Sequence, residues 1–341
     1  MKKVFMKTLK VIFIITALII LLICGLIINN RIYYSMYNKV DTSAETLTDN
    51  ELTIIASIYQ YLKDFGNDIY DDFSSQSTLI IYNRKYEFLL TNNDYEDDWE
   101  LVGYGDIVRK NIYRRKANNP KAFAIKIHNH WAGSFSTSDY YHVSFLEQVP
   151  IIVPPQIFSL DDIAYKSVVV HKMVHALQGD RDCTRVEAAE YIGDVLNVYQ
   201  SDNNFINLIK QEGKILDEAV KLTDETKIIT KIREFIETRD NRRNTCGMTD
   251  SEIFAEKEYE WLEGMARYAE HIASTGSKSM VAKHLGNIAQ KSAEDDKYYV
   301  LGMAEIILIN KLYITDWQHK LFYKKYTPED ILREYLSEDT K

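Results

Sequence analysis

The chain has 341 residues, 46% hydrophobic and 27% charged, with 13 Gly and 5 Pro. That composition fits one or two globular domains and excludes collagen-like, low-complexity or largely disordered chains. The net charge of -9, from 41 basic and 50 acidic residues, argues against nucleic acid as a partner.

The charge is unevenly spread. Residues 1–30 carry Lys2, Lys3, Lys7 and Lys10 and no acid, which leaves 37 basic against 50 acidic residues in the remainder. From Val11 to Ile28 runs VIFIITALIILLICGLII, with no charged residue. A helix of that length reaches roughly 27 Å, close to the hydrocarbon thickness of a bilayer. The lysines hold residues 1–10 on the cytoplasmic side, so 11–28 reads as a signal-anchor and the body as extracytoplasmic, on a single-pass membrane protein. A cleaved signal peptide would have a shorter apolar region ending in a small-x-small site. Here the run continues past Cys24 and Gly25, and the bulky Leu22 and Ile23 argue against lipidation of Cys24. Only Cys183 and Cys246 remain in the body, either as a disulfide or as two thiols.

Residues 30–76 read as a helical lead-in, because Thr48 and Glu51 have capping-box spacing before the amphipathic LTIIASIYQYLKDF. From about 77 to 153 the texture is short β-rich runs (TLIIY, YEFLL, NIYRRK, KAFAIKIHNHW, YYHVSFL, IIV) separated by turn residues. These predict a small, mostly antiparallel sheet. Beyond Ser159 the pattern is helical, at about 160–178, 185–200, 204–222, 224–240, 250–273, 278–292, 296–312 and 328–338. Gly276 is placed to stop the helix ending at Ala273, and Thr327-Pro328 to start the last. The fold class is α+β: a sheet followed by helices, with residues 77–341 as one domain and a helical insertion at about 180–250.

One helix carries the chemistry: SLDDIAYKSVVVHKMVHALQGD, capped by Ser159 and Asp162 and ended by Gly179. His171 and His175 are four apart and share one face, so two imidazoles can bind one metal. Such a site wants a third ligand and an open position. Glu263 in EYEWLEGMARYAEHIAS is one candidate, with Gly264 and Ala266 small enough for close helix approach. Glu187 and Glu190, on the next helix, are rivals, since 87 residues separate His175 from Glu263. The stripe Glu256, Glu260, Glu263, Arg267 is either a solvated face or, with Trp261, Leu262, Met265 and Ala269 beside it, a buried one. His128 and His130 alternate onto one strand face, where His-x-His can bind metal but is more often plain polar surface.

HKMVHALQ followed by WLEGMARYAE resembles the gluzincin metallopeptidases, which carry His-Glu-x-x-His on one helix and Glu-Gly-x-Ala on a later one. The stretch HWAGSF…VPIIVPP is similar to bacterial gluzincin-like proteins, and the similarity covers about residues 120–310. The resemblance implies a zincin-like fold, a Zn2+ cofactor held by His171, His175 and Glu263, and a peptide or protein substrate. Tyr268, His271, Tyr298 and Tyr299 are oxyanion-stabilising candidates on the family's pattern. The chain departs from the family where the general-base glutamate belongs, because Lys172 stands there. That glutamate takes a proton from metal-bound water and passes it to the leaving amine. Neutralising an ordinary lysine at pH 7 costs about 4.6 kcal/mol. The expected function is therefore a membrane-anchored zinc metallopeptidase with an impaired base, unless another carboxylate such as Glu260 substitutes. The alternative is a pseudopeptidase that binds a peptide or protein.

Overall fold

The apolar run lies within α1 (Lys2–Tyr37), whose segment Thr8–Asn29 is long and apolar enough to cross a membrane. The computed structural model describes residues 2–37, 39–71, 73, 77–95, 98–148, 161–192, 199, 202–277, 286–292, 294 and 296–338. The expected strand at 151–153, the cap Ser159, and the expected helical stretches at 193–198 and 278–285 lie outside the described residues.

α2 (Asp49–Ile69) begins where Thr48 Oγ1 accepts from the Glu51 amide at 3.2 Å. The reciprocal half of the expected capping box is not made. The Glu51 carboxylate instead accepts from the backbone amides of Ser138 and Asp139, at 3.1 and 2.8 Å. Ile55, Ile58 and Leu62 of α2 are fully buried in the main core, so the expected lead-in is part of the body.

Six strands follow: β1 (Thr78–Tyr82), β2 (Tyr86–Thr91), β3 (Glu100–Gly105), β4 (Lys110–Lys116), β5 (Ala124–Ile127) and β6 (His130–Ser136). Their order is β3-β4-β2-β1-β6-β5, antiparallel throughout except for β1 with β6. Alternation sorts β1 onto two faces. Leu79 and Ile81 enter the main helical core, while Ile80 joins Leu89, Trp99 and Tyr113 on the far side. β3 escapes the sequence pattern because it is an edge strand with mostly exposed side chains and two glycines.

YYHVSFL, expected as a strand, is helical in α3 (Ser138–Gln148). The reason is tertiary: the Glu51 carboxyl oxygens accept from two of the amides that open this helix. The remaining helices are α4 (Asp162–Arg181), α5 (Cys183–Ile192), α6 (Asn203–Ala219), α7 (Glu225–Thr245), α8 (Asp250–Ala273), α9 (Ile288–Lys291), α10 (Lys297–Lys311), α11 (Trp317–Tyr323) and α12 (Pro328–Glu338). α8 opens with a full capping box between Thr249 and Glu252 and closes before Gly276, whose φ is 89°. α11 is the short helix that the pattern did not predict.

α4 is sandwiched between β6 and α8, which is why it is buried on most of its circumference, polar residues included. Val169, Val170 and Val174 are fully buried, each stabilising the fold by about 1.5–3 kcal/mol. Its N-cap is Asp161, whose side chain accepts from the Ala164 amide at 2.8 Å, rather than Ser159 or Asp162. Gly179 does not end the helix. It lies two residues inside, where a Cβ would sit 2.4 Å from the Trp131 ring. α8 crosses α10 in the same intimate way, since a Cβ on Gly264 would lie 2.6 Å from Gly302 Cα.

Candidate metal centre

α4 and α8 meet where His171, His175 and Glu263 converge, and all three are buried. His171 Nε2 and His175 Nε2 are 3.1 Å apart, and each lies 3.4 Å from Glu263 Oε2. A tetrahedral zinc site with bonds near 2.05 Å has ligand atoms separated by about 3.3 Å. The three edges observed here match that spacing.

The outer contacts determine which way the imidazoles face. His171 Nδ1 lies 2.8 Å from Glu270 Oε2, and an ionised carboxylate only accepts, so Nδ1 is the donor. His175 Nδ1 lies 3.0 Å from Gln178 Oε1. The Gln178 amide is oriented by its own Nε2, which donates to the carbonyls of Trp261 and Leu262 at 3.1 and 3.2 Å. His175 Nδ1 must therefore donate as well, and both Nε2 lone pairs aim at one point beside Glu263. Glu263 Oε2 is itself buried without a hydrogen-bond partner among the described residues. Two lone pairs and an anionic oxygen in contact repel one another unless a cation lies between them, and a proton on one nitrogen would serve only one contact. The donor set thus fits a divalent ion of zinc's preferences.

Charge states agree with that fit. Burial lowers His175 to about 4, against the pull of Glu263, so the ring is neutral near pH 7. Burial alone would raise Glu263, but positive charge at the two facing histidines outweighs it and holds the carboxyl well below its usual range; with both Nε2 atoms unprotonated, that charge has to come from a bound cation. Burial also lowers Lys172, with Glu263 and Glu270 pulling the other way and Arg267 adding to the fall.

The other residues singled out in the sequence separate sharply. Glu187 and Glu190 are exposed on α5, away from the buried histidine pair. Tyr299 stacks on His171, ring centroids 6.2 Å apart, and burial with the nearby Glu263 keeps its hydroxyl above the usual tyrosine range. Tyr298, next to it, faces the carboxylates Glu256, Glu260 and Glu212 instead. Tyr268 packs near Tyr70, and His271 lies against Gly286. His128 is not on a strand face at all: with Asn129 it forms the β5–β6 turn, at φ 53°, and His130 is exposed at the start of β6. Cys183 and Cys246 are both free thiols.

Glu260, the carboxylate that could have replaced the missing base, is locked elsewhere. Arg239 reaches it at 2.8 and 2.9 Å and also binds Glu212, Glu305 and Glu329. Arg242 and Arg243 extend the network through Glu256. Five carboxyls surround the three guanidinium groups, with the half-exposed Arg333 a fourth at Glu329 that is shared with Asp240, so the buried network carries an excess of acid that protonation relieves. Burial favours that protonation, raising Glu260 well above the carboxylate range and Glu305 to about 7. The stripe on α8 is therefore split, with Glu256 and Glu260 in this network and Glu263 at the histidines.

Sequence reasoning missed Glu270 and Gln178. Both carried a readable signal: Gln178 is three residues after His175, and Glu270 is seven, or two turns, after Glu263. Models of known protein families, curated proteins and solved structures contain no match to this chain.

Proposed function

We propose that the chain is a membrane-anchored, extracytoplasmic zinc protein of gluzincin type with a zincin-like fold, its peptide hydrolysis crippled by Lys172. The observation that carries this reading is the triangle of His171 Nε2, His175 Nε2 and Glu263 Oε2, with edges of 3.1, 3.4 and 3.4 Å. His171, His175 and Glu263 would hold the ion, with Glu270 and Gln178 orienting the rings. Bound there, zinc supplies Lewis acidity and a water of lowered pKa. What the chain then lacks is a proton acceptor. A lysine of ordinary pKa is a cation at neutral pH and accepts no proton, and Glu260, tied to Arg239, is not available to take its place.

That shortage favours a second reading, a pseudopeptidase whose ectodomain binds a peptide or protein without cleaving it. The experiment on the metal comes first: zinc content of the full-length protein in detergent, beside Glu263→Ala and Glu187→Ala. One zinc per chain, lost in Glu263→Ala and kept in Glu187→Ala, is the expected result. No zinc in the parent chain after exchange into trace zinc would end this reading.

A further inference from the structure

Lys172 leaves an imbalance that the metal centre does not resolve by itself. Among the described residues no hydrogen bond or ion pair holds its ammonium, although the residue is partly buried, follows His171 on α4 and feels the charges of Glu263, Glu270 and Arg267. Its place is also rigid. The Lys172 carbonyl packs against Gly133 of β6, where even a Cβ would approach to 3.0 Å. A second donor is idle nearby: Arg267 Nε is buried with no hydrogen-bond partner. The Arg267 guanidinium lies over the Tyr299 ring, 5.2 Å from its centroid, and its ion pairs among the described residues are long, 3.4 Å to Glu270 and 3.7 Å to Asp296.

The charge count points the same way. A dication with Lys172 and Arg267, set against Glu263 and Glu270, formally leaves two positive charges, which Asp296, shared between Arg267 and Lys291, offsets only in part. A glutamate at position 172 would remove that excess. Unpaired donors and excess positive charge in a partly desolvated site are what a bound anion relieves, through charge-assisted hydrogen bonds.

We propose that the centre is an oxyanion receptor, in which a carboxylate or phosphate group is held by the Lys172 ammonium beside the metal, with Arg267 as a second donor. This rests on the metal reading above and deepens its binding alternative, by naming the ligand's chemistry. It also gives Lys172 a positive role, because the substitution that removes a base adds an anion anchor.

The test uses full-length protein in detergent micelles loaded with cobalt(II), whose visible absorption responds to changes around the ion. Sodium acetate and inorganic phosphate are titrated separately at fixed ionic strength, which holds general screening constant. Saturable binding of at least one is expected, weakened about 10-fold or more in Lys172→Gln with cobalt content unchanged. Arg267→Gln should weaken it as well, and provides a second reading if the first variant folds poorly. The preferred anion identifies the source, carboxylate or phosphate. One cobalt per chain with flat titrations, or with equal anion affinity in both variants, overturns the receptor and leaves the metal site standing. Failure to bind cobalt overturns both.

Discussion

Glu270 lies two turns beyond Glu263 on α8, and its Oε2 sits 2.8 Å from Nδ1 of His171. One helix thus supplies both a candidate ligand and the group that orients another. Carboxylates in this outer position fix the imidazole tautomer, and their loss typically costs 10- to 100-fold in metal affinity. Glu270→Gln should therefore weaken zinc by roughly that factor, while Glu263→Gln weakens it further. Competition with a chromophoric chelator measures both. Equal affinity in Glu270→Gln and the parent chain would remove Glu270 from the centre.

Lys172→Glu places a proton acceptor beside the paired histidines. Peptide hydrolysis by that variant should exceed the parent chain's by at least about 10²-fold, the low end of what a general base supplies. Turnover of a quenched fluorescent peptide library, with zinc content matched, is the measurement. Efficient cleavage by the parent chain with no gain in Lys172→Glu would show that the base lies elsewhere.

The buried arginines give a stability contrast. Arg239 is fully buried among four carboxyls, so Arg239→Met leaves uncompensated charge and should destabilise the fold by about 3–5 kcal/mol. Glu305 behaves differently, because its pKa is raised to about 7 and a proton already sits on it at pH 6. Glu305→Gln should then cost less than about 1 kcal/mol at pH 6, as a neutral hydrogen-bond partner replaces another. Denaturant unfolding of both variants at pH 6 tests the pair; similar losses would contradict the proton count.

Glu51 predicts a pH dependence that comes from the sheet and helix junction rather than the metal. Burial raises its carboxyl from 4.5 to about 7, against the two backbone amides of α3. The folded state therefore holds this proton more tightly than the unfolded chain. The contribution is complete below about 4.5 and is lost as pH rises through about 7. Within that window the slope approaches about 1.4 kcal/mol per pH unit for one proton. Glu51→Gln should reduce it, leaving the share that Glu305 contributes over the same window. Unfolding free energies at pH 5 and pH 7.5 decide, and an unchanged slope in the variant would mean another group titrates.

What the sequence determined by itself was local. The uncharged run from Val11 to Ile28, the Thr48 cap at the start of α2, and the shared face of His171 and His175 each depend on residues within a few turns. Helix periodicity and backbone capping act over that range. Tertiary structure decided the rest, because it turns on groups far apart in the chain. YYHVSFL is a helix since a carboxylate 87 positions earlier caps it. β1 and β6 lie parallel, though their sequences carry no mark of that pairing. Of the carboxylates on α8, Glu260 went to Arg239 and Glu263 to the histidines, a choice made by which helix packs on each face. Burial raised Glu260, while the facing histidines held Glu263 low against the same burial, and both effects exist only once the core has closed.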